Sequence, residues 1–407
     1  MSYTHLLSYA TCFLTLGAQS LAAPASRSTE AELAFDALQT YYNTSSGLWS
    51  TTGWWNSANC LTTAGQLAAI DRNILPTAEA VFSNTFAEAQ KFNLGTLKVV
   101  KADFNIETMS GPPALADINT LAQTNPKGFL NDYYDDEGWW ALGWIQAFDV
   151  TQNEEYLDTA VDIFNDMAKG ATTPCGNQNQ PIWWDKKKTY VNAIANELYL
   201  SVASHLANRI PSNGTYLTSA QNQWKWFQES GLINAQNTIN DGLTTACKNN
   251  NGTVWSYNQG VILGALVELS KATGNPSLLD TAATIATAAI KALSDEDGIL
   301  HDVCEPNCGA DGAQFKGVFM RNLRLLQNEA PDDEIEKFIG ANAASIWKYN
   351  RASEAARSNL LSVVWSGPFI APANASTQSS ALDALVAAQA LGVLPSNGFS
   401  IASRRRK

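Results

Sequence analysis

The chain has 407 residues, a length that a single helical toroid or barrel fills as readily as two average domains. Its 45% hydrophobic content is enough for a large core. The formal net charge is −12 and no run of lysine and arginine exceeds the short tail Arg404–Lys407, which argues against nucleic acid and suits neutral or cationic partners.

The first element in chain order is a targeting signal. Leu6 to Ala18 is apolar and too short to cross a bilayer, and Ser20-Leu21-Ala22 offers a small-x-small cleavage site. Residues 1–22 therefore read as a secretory signal peptide, 23–400 as one domain and 401–407 as a basic tail. The C-terminus shows no apolar stretch of the kind a GPI signal needs, so a freely secreted, unanchored protein is expected. Four N-x-S/T sequons, at Asn43, Asn213, Asn251 and Asn374, fit that route as glycosylation sites. Five cysteines remain after signal removal. Cys304 and Cys308 are the expected disulfide, Cys60 reads as a buried apolar residue in a helix, and Cys175 and Cys247 stay unassigned.

From Thr29 onward, apolar spacing at i, i+3, i+4 and i+7 marks about twelve helices. They lie near 30–43, 54–70, 76–92, 136–149, 153–168, 189–208, 214–229, 254–273, 276–294, 313–328, 332–349 and 376–391. Strand-like runs are few, at Leu97–Val100 and Leu360–Trp365, so the eight strands of an α/β barrel are missing. Connections after the even helices are short and carry turn residues, as in Pro211–Gly214 and Gly274–Pro276. Connections leading into the even helices are long, and long loops in a compact domain usually carry function. The even helices are rich in Ala, Gly and Leu, as in Val261–Ser270 and Ala381–Leu391, whereas the odd ones carry more charge. Both facts predict an all-α fold of six helical hairpins, an (α/α)6 barrel with the even helices inside. All inner N-termini, with their positive dipole ends and free N–H groups, then share one face with the long loops.

The residues at those helix starts repeat a theme. Trp54–Asn59, Asp135–Trp140, Ile182–Glu197, Val254–Gly260 and Cys308–Gly317 bring aromatic rings, amides and acids to one end. Aromatic faces stack on the apolar C–H groups of sugar rings, and amides and acids pair with hydroxyls, so the pattern reads as a carbohydrate cleft. A single tryptophan is more often core than ligand-facing. The doublets Trp54-Trp55, Trp139-Trp140 and Trp183-Trp184 are different, because helical neighbours point about 100° apart. One ring of each pair can pack while the other lines a cleft. A lone Asp-Asp pair is ordinarily a solvated helix start. Asp135-Asp136 instead sits among aromatics after a long loop. Crowded carboxyls titrate apart, and one acid beside one carboxylate is what a glycosidase needs. Adjacent residues can spread their carboxyls to roughly 5 Å, which is compatible with a retaining mechanism.

At Tyr133–Thr151 (YYDDEGWWALGWIQAFDVT) the chain resembles glycoside hydrolase family 76, the α-1,6-mannanases. Trp54–Asn59, Asn192–Leu200, Tyr257–Leu269 and Gly312–Leu323 extend the resemblance over most of the mature chain. It implies an (α/α)6 fold and retaining, endo-acting hydrolysis of α-1,6-linked mannan or manno-oligosaccharide, with Asp135 as nucleophile and Asp136 as acid/base. Trp55, Asn56, Trp139, Trp140, Trp184, Asn192, Tyr257, Asn258 and Lys316 are the expected cleft residues. Glu137 reads as an acid of the first helical turn, and Asp132 is left open. One fungal branch of the family transfers GPI-anchored proteins to wall glucan. Glu137 after the acid pair, where that branch commonly has glutamine, favours hydrolysis over such transfer. A non-catalytic mannan-binding protein is the third reading. No cofactor and no metal are expected: only His205 and His301 remain after the signal, without an H-E-x-x-H pairing. The protein is expected to act as a monomer.

Overall fold

The computed structural model describes residues 28–93, 98–100, 106–108, 128–176, 181–353 and 359–394. The expected leader at 1–22 and tail at 401–407 lie outside them. Among the described residues there are twelve α-helices. They are α1 (Glu30–Gln39), α2 (Trp54–Ile70), α3 (Leu75–Glu88), α4 (Tyr134–Thr151), α5 (Glu154–Met167) and α6 (Ala193–Arg209). The second half adds α7 (Gly214–Glu229), α8 (Ser256–Thr273), α9 (Ser277–Leu293), α10 (Phe315–Glu329), α11 (Asp333–Tyr349) and α12 (Ala375–Leu391).

The even helices form the inner ring. Each packs on two inner neighbours, in the order α2, α4, α6, α8, α10, α12 and back to α2. The odd helices pack outside them, and α1 completes the ring of pairs by packing on α12. Burial follows this layering. In α2 from Trp54 to Ala68, in α8 from Ser256 to Ser270 and in α12 from Ala375 to Ala388, every residue is buried. The outer α5 buries only the stripe Tyr156, Leu157, Ala160, Ile163, Phe164, Asp166 and Met167, as a surface helix should. Small residues permit the inner contacts. A Cβ on Gly260 of α8 would stand 2.5 Å from the Phe319 Cα of α10, and one on Gly317 of α10 would stand 2.5 Å from the Ser380 Cα of α12.

Strands are short pairs: β1 (Tyr42–Asn43) with β2 (Leu48–Trp49), β3 (Lys98–Val100) with β4 (Ile106–Thr108), and β5 (Val191–Asn192) with β6 (Gly242–Leu243). The strand expected over Leu360–Trp365 does not form. Leu361 makes a single bridge to Arg351, and this segment is tied down instead by Asn350, whose amide donates to Ser362 O and whose Oδ1 accepts from Ser362 N. Among the described residues no helix is long and apolar enough to cross a membrane.

Among the described residues two disulfides are present. Cys304–Cys308 is the expected one, and Cys175–Cys247 joins two loops across 72 residues of sequence. Cys60 is free and buried. Of the four sequon asparagines, Asn43, Asn213 and Asn251 are exposed, while Asn374 is half-buried and caps α12 by accepting from Thr377 N.

Candidate active site

The chain enters α4 through a short strap that Asn131 organises. Its backbone N–H donates to Glu137 Oε1 at 2.8 Å, its Nδ2 donates to Asp136 Oδ2 at 2.8 Å, and its Oδ1 accepts from Tyr133 N at 2.9 Å. Asp135 and Asp136 stand in the first turn of α4, only 7% and 1% exposed. Negative charge is favoured at this end of a helix.

Glu137 is a strut. It is wholly buried and receives Lys186 Nζ at 2.7 Å, while Lys186 also meets Asp166 at 2.6 Å. Burial pushes the Glu137 carboxyl up to about 8, with the Lys186 charge pulling against it. Asp166 is held below its ordinary range because the hydrogen bonds from Lys169 and Lys186 outweigh its burial. Asp132 is exposed at the rim, where its carbonyl accepts from Lys186 N at 2.9 Å.

Asp241, Tyr190 and Glu197 join the aspartates, and none of the three is among the expected site residues. The β5–β6 pairing, with Ala193 N donating to Asp241 O at 2.8 Å, sets Asp241 beside the start of α6. Asp241 accepts from Tyr190 OH at 2.7 Å, and Asn250 donates to the same hydroxyl at 2.7 Å. Burial raises the Asp241 carboxyl to about 7, and the charge of nearby Asp135 adds to this. Glu197 of α6 is 0% exposed, and neither of its carboxyl oxygens has a hydrogen-bond partner. Burial first, then the Asp241 charge, pushes it well above the carboxylate range.

Two expected cleft amides are unsatisfied in the same place. Asn192 caps α6 through its Oδ1, which accepts from Ala195 N at 3.3 Å, and its Nδ2 has no partner. Asn258, in the first turn of α8, has no partner at either amide atom and is fully buried. Unpaired buried polar groups cost about 1–3 kcal/mol each, so their grouping marks a place that hydroxyls or water complete.

Aromatic rings line the same end. Trp55, Trp139, Tyr257 and Phe315 form a stacked row across α2, α4, α8 and α10, with centroid separations of 5.7, 6.4 and 3.8 Å. Trp55 Nε1 donates to Asp311 at 2.9 Å. Trp184 packs between Tyr133 and Tyr190. The helical doublets divide as their angular offset requires: Trp54 and Trp140 pack with Phe129, away from the row.

Three residues expected in the cleft stand elsewhere. Trp140 is 0% exposed and is sandwiched among Trp54, Phe129 and Trp144 in the wall. Asn56 is spent on the fold: its Oδ1 accepts from Gly53 N at 3.1 Å and its Nδ2 donates to Gln314 Oε1 at 3.1 Å. Lys316 pairs with Glu305 at 2.6 Å, donates to Leu300 O and Val363 O, and lies 4.4 Å from the Trp365 ring centre. Its position next to Phe315 turns it sideways into the wall. Among the described residues no group of three or more His, Cys, Asp or Glu side chains is placed to hold a metal.

The sequence profile of glycosyl hydrolase family 76 matches residues 107–396. The mannan endo-1,6-alpha-mannosidase DFG5 of Candida albicans is 26% identical over 226 residues, 51% of this chain and 50% of that protein. The chain thus spans about half the length of the curated relatives it matches. Among solved structures, an inactive variant of an α-1,6-mannanase from Salegentibacter sp. in complex with α-1,6-mannotriose has a TM-score of 0.69 at 19% identity, covering 89% of this chain and 98% of that one. Dfg5 from Chaetomium thermophilum in complex with glucosamine has a TM-score of 0.69 at 20% identity, covering 88% of each chain. At these identities the likeness is one of fold.

Proposed function

The chain belongs to glycosyl hydrolase family 76, and from that premise we propose that it cleaves internal α-1,6-mannosidic bonds with retention of configuration. The observation that carries this reading is the pair Asp135 and Asp136, buried in the first turn of an inner helix beside an aromatic row and unpaired amides. In the first step an Asp135 oxygen bonds to the anomeric carbon as the glycosidic bond breaks, and Asp136 gives its proton to the leaving oxygen. In the second, Asp136 takes a proton from water, the water oxygen bonds to the anomeric carbon, and Asp135 leaves as carboxylate. Asn131 donates to Asp136 Oδ2, which orients the carboxyl for proton transfer.

The substrate is a neutral polymer, so stacking and hydroxyl pairing must supply most of its binding. In this reading Trp55, Trp139 and Tyr257 supply the first, and Asn192, Asn258 and Asp241 the second. The leader read in residues 1–22 directs the protein to secretion, where the three exposed sequon asparagines take glycans.

Linear α-1,6-mannan tests the reading, with product size and anomeric configuration followed by NMR. Internal cuts releasing α-product first are expected. A β-product first would overturn retention. Mannosyl segments of the cut polymer appearing on an added acceptor sugar, with no net gain of reducing ends, would replace hydrolysis by transfer.

A further inference from the structure

The inner helices end at the face opposite the aspartates, and a pocket of about 110 Å³ opens there, running inward to the underside of Trp139. Its lining includes Gln66, Gln146, His205, Arg321 and Asn322. Arg321 and Arg324, one turn apart on α10, are 5% and 8% exposed. Arg321 meets Asp383 at 3.2 Å and donates to Asn59 Oδ1 at 2.6 Å, but its Nε has no partner. Arg324 has less. One Nη donates to the neutral Gln66 Oε1 at 3.1 Å, its Nε is unpaired, and among the described residues no carboxylate lies within ion-pair distance of it. Two buried guanidiniums therefore share one carboxylate, and guanidinium does not deprotonate in proteins.

Among the described residues the other carboxylates lining this pocket, Asp149 and Glu268, are engaged by other cations. At the outer rim, Asp149 is gripped at both oxygens by Arg209. Glu268 is held by Arg209 at 3.0 Å, Asn208 at 2.9 Å and Lys271 at 3.5 Å. His205 lends its Nδ1 to Ser201 O at 2.8 Å, and burial keeps its ring from charging. The carbonyl end of α10 favours a cation, but that influence fades within the last turn and Arg324 stands five residues before Glu329. An uncompensated buried charge is costly, and a charged hydrogen-bonding counter-ion removes the cost.

We propose that this rear pocket binds a chloride-sized anion on Arg321, whose Nε is unpaired, and on Gln66; Arg324 stands behind Gln66 rather than in the lining, and the anion acts as counter-ion to the Arg321–Arg324 pair through these two residues. The space equals roughly three to four waters, enough for one such ion with its remaining hydration.

The test is the Tm of the intact protein in sodium chloride and in sodium gluconate at equal ionic strength. It is independent of any catalytic reading. Chloride is expected to raise Tm by about 2–4 °C, saturably. Gln66→Glu places a carboxylate on the Arg324 Nη. It is expected to match or exceed the wild-type Tm in gluconate and to lose the chloride increment. Arg324→Met, which removes the surplus charge, loses the increment as well. No chloride increment in the wild type, or an increment undiminished in both variants, overturns the proposal and leaves the pocket to water.

Discussion

The two ends of the barrel are built on opposite principles. At the end where the inner helices begin, each is reached through 14 to 45 residues, and the side chains that converge are left incomplete: Asn192 Nδ2, both amide atoms of Asn258 and the Glu197 carboxyl. At the end where they finish, turns of two to four residues lead to the outer ring, and the rim carboxylates Asp149 and Glu268 are saturated by Arg209 and its neighbours. Short turns fix geometry cheaply, and satisfied ion pairs lock it. Long loops bring in groups from far along the chain but leave polar atoms for something else to satisfy. One scaffold thus keeps its stability and its chemistry apart, along the same six helices.

The largest effect that sharpens this contrast falls at the front. Asp135→Asn or Asp136→Asn is expected to lower mannan hydrolysis by about 10²–10⁴-fold while polymer binding and Tm hold. Reducing-sugar release and affinity electrophoresis on mannan measure the two sides. Wild-type turnover in both variants would dissolve the proposed division of labour.

Next come substitutions that separate the wall ring of one doublet from the cleft ring of another. Trp140→Ala is expected to cost about 3–5 kcal/mol in denaturant unfolding. Trp55→Ala should leave stability nearer the wild type and weaken binding of manno-oligosaccharides. Lys316→Met strands Glu305 in a buried place and should cost about 3–5 kcal/mol, with much of it restored by adding Glu305→Gln. Equal losses in the single and double variants would show that packing on Trp365, not charge, is what Lys316 provides.

The smallest effects are in pH dependence, and the two ends have opposite signs. Asp241 is raised by burial to about 7, so its contribution is fully present below about pH 4 and is lost as pH rises through 7. Asp241→Asn should therefore gain Tm relative to wild type between pH 4 and 8. Burial alone would raise the Glu268 carboxyl, but His205, then Arg209 and Lys271, outweigh it and hold the group down at about 2. Its contribution is present above about pH 4.5 and is lost as pH falls through 2. Glu268→Gln should cost about 1–3 kcal/mol at pH 7 and little near pH 2. Parallel pH profiles for the two variants would remove the contrast.

Much of this was legible in the sequence, for a physical reason. Helices that are buried on all sides differ in composition from helices buried on one, so Val261–Ser270 and Glu154–Met167 announce their layers. Turn residues and loop lengths then give the end where chemistry gathers. What stayed hidden depends on contacts between loops distant in sequence. Asp241 reaches the site through the β5–β6 pairing and Tyr190 through its hydroxyl, and neither has a local period. The signal was there only as an acid flanked by Ile239, Gly242 and Leu243 in a turn-rich stretch. Glu197 lay inside a stretch noted for its resemblance, but helical spacing alone does not show that its carboxyl goes unpaired. Trp140, Asn56 and Lys316 were misplaced because each neighbours a residue that does face the mouth, and one helical step rotates a side chain into the wall. The partner of Cys175 was open because five cysteines admit several pairings.

The packing of α1 on α12 gives the ring a seam. Five of its six helical pairs are neighbours in sequence, and the sixth joins the first helix to the last. The covering of α12 therefore waits for a contact spanning more than three hundred residues, the slowest kind to form. The same geometry brings the two helices at the ends of the described fold side by side. They could be tethered and new ends opened in the turn between Ile210 and Asn213, a circular permutation that would make the seam local and move the late contact elsewhere in the ring.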